Sequence, residues 1–336
     1  MERYKETSQV ESLSLFLNRY QVRVENVTGS HPLKCATLGP EATFSEQAAL
    51  ELMQDQVEIS FVKSNPQIVE SVNKKEFDIG IIASENSIEG NVDQTLRAII
   101  HSDLTILGER ILPVHQTLYG TKEAMEKGVV NTHPQGYAQC VKWLQENIPH
   151  HSFVSQDSTS LGVKIAAEKN ELGIGSPIAG ERYGIPLLKS QIEDRKGNTT
   201  RFWLLGNGDT EPTGQDRTKF VVTLQNKAGT LKKVVDSFAD REISINKIDT
   251  IPLNLDHYFF LISVDGHIMD TALQEAMNEA KQYCWKVKHI GSFQKSVLPN
   301  VEYDSEAFEK GWVPMSESHR NGKKAINPFE YTSQIF

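Results

Sequence analysis

The chain has 336 residues and a formal net charge of −9, with 38% hydrophobic and 24% charged residues. This length predicts two or three domains with substantial cores. The acidic balance argues against a nucleic-acid or anionic-membrane partner, but leaves an anionic small molecule open because local groups decide that. Cys35, Cys140 and Cys284 form no CxxC pair, so neither a zinc site nor a disulfide framework is expected. No apolar run reaches the roughly 20 residues of a membrane span, and a cytoplasmic location with reduced thiols is expected.

Residues 1–33 read as an N-terminal extension. Val10, Leu13, Phe16, Leu17 and Tyr20 recur at helical spacing and predict an amphipathic helix ahead of the Gly29-Ser30-His31-Pro32 break. At Lys34 the texture changes to alternating strands and helices. A strand over 34–38 runs into Gly39-Pro40-Glu41-Ala42-Thr43-Phe44-Ser45, followed by a helix with Ala48, Ala49 and Leu52 on one face. A strand, glycine turn and helix is where parallel α/β sheets place ligand-binding amides and hydroxyls. With neither GxGxxG nor a P-loop present, nucleotide binding has little support. Thr43 and Ser45 fit either ligand-facing hydroxyls or helix caps. The next unit repeats the logic with strand 57–62, helix 66–72 and buried strand 77–82, which ends in the polar run Ser84-Glu85-Asn86-Ser87. Binding groups belong at such a strand end, although Asn86 or Ser87 serves equally as a cap for the helix holding Thr95, Leu96, Ile99 and Ile100.

Residues 104–119 read as a crossing into a second α/β lobe. Thr132-His133-Pro134-Gln135 precedes a helix over 137–144, and residues 155–160 open another over 161–167. A His-Pro-Gln at a helix start fits either anion binding through free amides or an ordinary proline-initiated helix. A small-residue strand over 172–176 and a short helix over 179–183 follow. Residues 194–205 then pass from a polar loop, with Asp194, Gly197 and Asn198 as turn formers, to an apolar strand over 202–205. Thr199, Thr200 and Arg201 sit at that junction. Arg201 can fork onto a carboxylate and threonine can donate to a departing oxygen. A turn satisfied by its own side chains, with Arg201 a solvated charge, is the plainer reading. Two lobes with a return crossing predict a cleft between them. Residues 206–217 are a linker by composition. Beyond it, strand 218–224, helix 227–239, strands 243–251 and 257–264, helix 271–283 and strand 285–293 predict a ferredoxin-like βαββαβ domain.

Together these segments resemble the prephenate dehydratases that carry a C-terminal ACT domain, over residues 34–293. The family's Gly-Pro-x-x-Thr-Phe-Ser occurs at 39–45, its Glu-Asn-Ser-x-x-Gly-x-Val at 85–92 and its His-Pro-Gln at 133–135. Its Ser-Thr occurs at 158–159 and its Asn-x-Thr-Arg-Phe at 198–202. Five ordered motifs are far more specific than one. The resemblance implies an α/β protein with a two-lobed, periplasmic-binding-protein-like catalytic domain at 34–208. Its lobes would be 34–108 plus 190–208, and 109–189, followed by an ACT domain at 218–295 and a tail at 296–336. It implies conversion of prephenate to phenylpyruvate, water and carbon dioxide on the route to phenylalanine, without cofactor or metal.

Thr200 is the implied catalytic donor to the leaving hydroxyl. Thr43, Glu85, Asn86, Ser87, Gln135, Ser158, Thr159, Asn198, Arg201 and Phe202 are implied around the substrate, with Arg201 either binding a carboxylate or pairing with an acid such as Glu85. Ala228, Gly229, Thr230, Leu231, Asp249 and Thr250 are implied around an amino-acid effector, and a homodimer or homotetramer is expected. Two departures stand out. Ala42 occupies a position where the family commonly has glycine, and Asp249-Thr250-Ile251-Pro252 replaces Glu-Ser-Arg-Pro. Loss of that arginine to Ile251 predicts weak feedback by phenylalanine. Rival readings are a prephenate decarboxylase that forms no aromatic ring and a non-enzymatic amino-acid-binding regulator. Thr200 within Thr-Arg-Phe counts against the first, while the folds alone permit the second.

Overall fold

The structure is a computed structural model that describes residues 22–24, 33–53, 57–255 and 257–299, all within a unit spanning Met1–Val301. The amphipathic helix expected around residues 10–20 and most of the 296–336 tail lie outside the described residues.

The first lobe is built from β2 (Leu33–Leu38), α1 (Phe44–Met53), β3 (Val57–Val62), α2 (Asn65–Asn73) and β4 (Ile79–Asn86), continuing through β5 (Gly90–Asn91), α3 (Asp93–Ile100) and β6 (Thr105–Pro113). Its sheet has the order β3-β2-β4-β12-β6, where β12 (Thr199–Gly206) returns from the far end of the catalytic half. β4 is apolar on both faces because both are covered. Ala48, Ala49 and Leu52 of α1 pack against Ile79, Ile81, Phe202 and Leu204, while Ile68, Val72, Leu96 and Ile99 of α2 and α3 meet Ile82 and Trp203. α2 begins where Ser64 caps the Gln67 amide, with Pro66 in its first turn.

The second lobe follows as β7 (Thr117–Tyr119), α4 (Lys122–Lys127), β8 (Val129–Thr132), α5 (Pro134–Ala138) and α6 (Val141–Asn147). It ends with β9 (Ser152–Ser155), α7 (Thr159–Lys169), β10 (Leu172–Gly175), α8 (Ala179–Tyr183) and β11 (Leu187–Lys189), in the sheet order β11-β7-β10-β8-β9. The single helix expected over 137–144 is instead the pair α5 and α6. The break has a distant cause: the Asp194 carboxylate accepts from the Lys142 and Trp143 amides at 2.9 Å each, starting a new helix there. α7 lies hard on β8, since a Cβ at Gly162 would sit 2.6 Å from the Asn131 carbonyl oxygen.

Residues 206–217 hold more structure than their composition implies. β13 (Gly208–Thr210) pairs antiparallel with β1 (Val22–Val24). The small domain then runs β14 (Asp216–Leu224), α9 (Thr230–Ala239), β15 (Ile245–Pro252), β16 (Tyr258–Asp265), α10 (Thr271–Ala280) and β17 (Cys284–Gln294). Its antiparallel sheet, ordered β15-β16-β14-β17, is the ferredoxin-like arrangement. The two helices cover one face through Phe220, Phe238, Ile262 and Met277. The other face is also apolar, and Val221, Ile251, Leu261, Ile290 and Phe293 join the first lobe's core against Leu96, Ile99, Ile106 and Trp203. The contact is close: a Cβ on Gly291 would lie 2.3 Å from the Ile106 carbonyl oxygen. Among the described residues no helix is long and apolar enough to cross a membrane.

Candidate active site

A cavity of about 340 Å³ opens between the lobes. The first lobe contributes Gly39, Asn86, Asn198 and Thr200 at the ends of β2, β4 and β12, and Thr43 at the start of α1. The second contributes Gln116, just before β7, and His133, Gln135, Ser158 and Thr159, at the ends of β8 and β9 or the starts of α5 and α7. Strand ends supply these positions because side chains there leave the packed sheet while the sheet still fixes their backbones. The loop before α1 is tied across the cleft, with Ser176 Oγ donating to the Ala42 carbonyl at 2.7 Å and Tyr183 Oη to the Glu41 carbonyl at 3.2 Å. Glu46 accepts from Arg182 and from the Ala42 amide.

Thr200 and Asn86 face each other as cross-strand partners of β12 and β4. Asn86 Oδ1 accepts the Ile88 and Glu89 amides at 2.9 and 3.0 Å, which fixes the orientation of its side-chain amide. Its Nδ2 therefore donates, to Asn198 Oδ1 at 2.8 Å, to the Thr199 carbonyl at 3.2 Å and to Thr200 Oγ1 at 2.9 Å. A hydroxyl that receives a hydrogen bond keeps its own proton to give. Thr200 is thereby set as a donor on the cavity wall.

Other candidates divide by position. Thr43 both borders the cavity and caps α1, accepting from the Glu46 amide at 3.4 Å. Ser158 does the same for α7, accepting from the Leu161 amide at 3.0 Å. The positive end of the α7 dipole and the Ser158 and Thr159 hydroxyls make this side suited to an anion. His133 Nδ1 accepts the Gln135 amide at 3.2 Å, so a neutral His133 carries its proton on Nε2 as a further donor.

Four candidates do not border the cavity. Ser87 Oγ accepts the Thr199 amide at 2.9 Å and holds the loop rather than a ligand. Neither Asn86 nor Ser87 caps α3, whose N-cap is Val92. Glu85 and Arg201 point to the opposite side of the strands, toward the small domain. Arg201 Nε lies 3.3 Å from Glu85 and Nη1 lies 2.5 Å from the buried Glu109, so its fork is filled by protein carboxylates. Burial works against the Arg201 charge, but Glu109 and Glu85 raise its pKa above the ordinary value. Burial likewise works to raise Glu85, yet the Lys247 hydrogen bond and charge, with Arg201, hold its carboxyl below the usual range. Phe202 lies two residues deeper than Thr200 on the same face and is buried against α1.

Sequence reasoning passed over Gln116, which is buried and whose Oε1 has no partner. Its signal is faint, a polar His115-Gln116 between apolar runs at the lobe crossing. Burial pushes Cys35 up to about 12 and Cys284 up to about 11, so neither offers a thiolate at neutral pH. Among the described residues no cluster of three or more His, Cys, Asp or Glu is placed to hold a metal.

On the small domain, Gly229, Thr230 and Leu231 border an outward cavity of about 800 Å³ with Leu253, Tyr258 and Trp285. Ala228, Asp249 and Thr250 are not in its wall. The strand explains the position of Asp249: along β15, Lys247, Asp249 and Ile251 face the first lobe while Asn246, Ile248 and Thr250 face out. Asp249 accepts from Asn91 at 2.9 Å. Ile251 is 3% exposed within the interdomain core. The expectation that Ile251 weakens an effector site therefore lacks a geometric basis, because its side chain points away from the cavity that Gly229 borders.

Comparison with known proteins identifies the family. The family model for prephenate dehydratase matches residues 35–210. The bifunctional chorismate mutase/prephenate dehydratase of Aquifex aeolicus (strain VF5) is 31% identical over 270 residues, covering 79% of this chain and 75% of that protein. The prephenate dehydratase of Amycolatopsis methanolica is 31% identical, covering 78% of this chain and 89% of its own. Among solved structures, the prephenate dehydratase of Arthrobacter aurescens in complex with L-Phe superposes with a TM-score of 0.70 at 29% identity, covering 78% of this chain and 90% of that one. With a matching model over more than half its length and relatives aligned across both of its halves, the chain belongs to the prephenate dehydratase family.

Proposed function

We propose that the interlobe cavity converts prephenate to phenylpyruvate, with Thr200 as the donor to the departing oxygen. The observation that carries this reading is the hydrogen bond from Asn86 Nδ2 to Thr200 Oγ1 at 2.9 Å, which leaves the threonine proton free at the cavity wall. In the reaction the bond from the ring to its carboxylate breaks and carbon dioxide leaves. That electron pair moves through the ring, which becomes aromatic, and the carbon–oxygen bond to the ring hydroxyl breaks with its pair on oxygen. The oxygen takes a proton and departs as water. Aromatisation supplies the driving force, so the protein's part is to hold two carboxylates and stabilise charge on the leaving oxygen. A threonine hydroxyl is a poor acid, and Thr200 acts as a hydrogen-bond donor or relay rather than as a full general acid. Since Arg201 is held by Glu85 and Glu109, the carboxylates fall to neutral donors: Thr43, Gln135, Ser158, Thr159, Asn198 and the α7 amides. Incubation with prephenate, followed at the phenylpyruvate absorbance, tests this. Consumption of prephenate with release of carbon dioxide but no phenylpyruvate would move the assignment to a decarboxylase, and no consumption at all to a binding protein.

The small domain fits an ACT-type regulator. The Arthrobacter relative is described with L-Phe, and here the Gly229–Leu231 turn borders a cavity that suits an amino acid. Titration calorimetry with phenylalanine tests this assignment, and the absence of heat would remove it.

A further inference from the structure

Asn86–Thr200 is one of two consecutive cross-strand pairs between β4 and β12; the next is Glu85–Arg201. The first pair borders the cavity and the second is met from behind by the small domain. Lys247 of β15 donates from Nζ to Glu85 Oε1 at 2.7 Å and to Asn91 Oδ1 at 2.8 Å. Glu85 and Asn91 are themselves cross-strand partners in the β4–β5 hairpin, directly next to the Asn86–Gly90 pair. The loop of that hairpin carries the Ile88 and Glu89 amides that fix the Asn86 side chain. Asp249 Oδ2 lies 3.2 Å from Lys247 Nζ, and Asn91 Nδ2 donates to Asp249 Oδ1 at 2.9 Å, so one ammonium ties three groups together. A second tie runs parallel to it: Arg217 Nη1 of β14 lies 3.1 Å from Glu109 Oε1, whose other oxygen holds Arg201.

We propose that Lys247 is a positioning residue for the Asn86–Thr200 pair. Its ammonium clamps the base of the hairpin that aims Asn86, and Asn86 in turn aims the Thr200 hydroxyl. The small domain is then a working part of the active site as well as a regulator. The inference rests on the reaction assigned above to Thr200. Its physical basis is that charge-assisted bonds to carboxylates are short and directional, while a donor displaced by about 1 Å from its reacting oxygen can lose on the order of a hundredfold in rate.

Lys247→Met keeps most of the aliphatic stem and removes the charge and its three contacts. On prephenate, the full-length variant is expected to lose about ten- to a hundredfold in kcat with KM within about twofold, and Lys247→Arg to recover much of that loss. In a Thr200→Ala background the same change should cost less than about twofold more, since a lysine that acts through Thr200 has nothing left to position. Wild-type kcat in Lys247→Met, or a loss that multiplies in full with that of Thr200→Ala, overturns the proposal. If Lys247→Met fails to fold by circular dichroism, Asp249→Asn, which weakens one anchor of the ammonium, provides the same comparison with a smaller expected loss. A wild-type protein that makes no phenylpyruvate would refute the reaction itself, a result seen before any variant is compared.

Discussion

In the proposed reaction Thr200 serves as a donor because of the Asn86 amide beside it. Thr200→Ala should keep the fold, lower kcat by about 10²–10³ and change KM little, the usual cost of losing one preorganised donor; steady-state kinetics checks this, and near wild-type turnover would remove Thr200 from the chemistry. Lys219 is a second residue whose surroundings set its behaviour. It is buried over the Trp203 indole, 5.4 Å from the ring centroid, and donates to Ser263 at 3.4 Å. Burial pushes its ammonium down to about 8, with Glu109 opposing and Arg201 and Arg217 adding to the shift. Between about 8 and its ordinary 10.5 the unfolded chain holds this proton while the folded one has released it, so Lys219 makes stability rise with pH in that window. Below the window both states are charged and the full cost of burying the ammonium remains, roughly 3 kcal/mol as an upper figure. Lys219→Met should therefore be more stable than wild type at pH 7, and the difference should shrink as pH rises to 10.5. Urea unfolding at several pH values measures it; a variant less stable at pH 7 would mean that the cation–π contact outweighs desolvation. Ala42 shows a smaller strain. It sits at φ 61°, a left-handed conformation that glycine adopts freely and that an alanine adopts at a cost.

At the scale of elements, the alternating strands and helices were legible because apolar runs are bounded by Gly, Pro and short polar clusters. Two elements were not. The break between α5 and α6 is made by Asp194, more than 50 residues downstream by the bond it forms to Lys142, and no local pattern carries such a contact. β13 is three residues of Gly208-Asp209-Thr210, with no alternation to read, and exists by pairing with β1. The site was legible as a set of loops but not as a set of directions. Glu85 and Asn86, or Thr200 and Arg201, are adjacent in sequence, so strand geometry sends one of each pair to the cavity and the other to the small domain. The same alternation along β15 explains Ile251, whose apolar side chain suits the face that packs on the first lobe. Ile251→Arg should then cost about 3 kcal/mol or more by placing an unpaired charge in the interdomain core, and thermal unfolding would detect it. A variant as stable as wild type would mean that the interdomain face is looser than its packing indicates.

At the scale of the whole molecule, the small domain presents an apolar face that the described residues leave open. Trp285 is 73% exposed, Leu253 53%, Tyr258 43% and Leu231 38%, and all four border the cavity that begins at Gly229. These residues lie away from the first lobe, because the inner face of the small sheet is already filled by α3, β6 and β12 through Ile99, Ile106 and Trp203. An apolar patch of this kind is uncommon on a monomer and ordinary at a subunit interface. A second copy seated there would cover Trp285 and turn the open cavity into an enclosed one, in which an effector's ammonium and carboxylate meet fixed polar groups instead of water. Assembly and effector binding would thereby be linked: what stabilises such an interface should tighten binding by the same free energy. Light scattering at micromolar concentration is expected to give a multiple of the chain mass of 37.7 kDa. Trp285→Ser should shift that distribution toward the single chain and weaken any phenylalanine response, while prephenate turnover, proposed above to take place in the interlobe cavity, should change little. A wild-type protein that stays at the single-chain mass with phenylalanine bound would separate the two properties and leave the Trp285 face without a role in assembly.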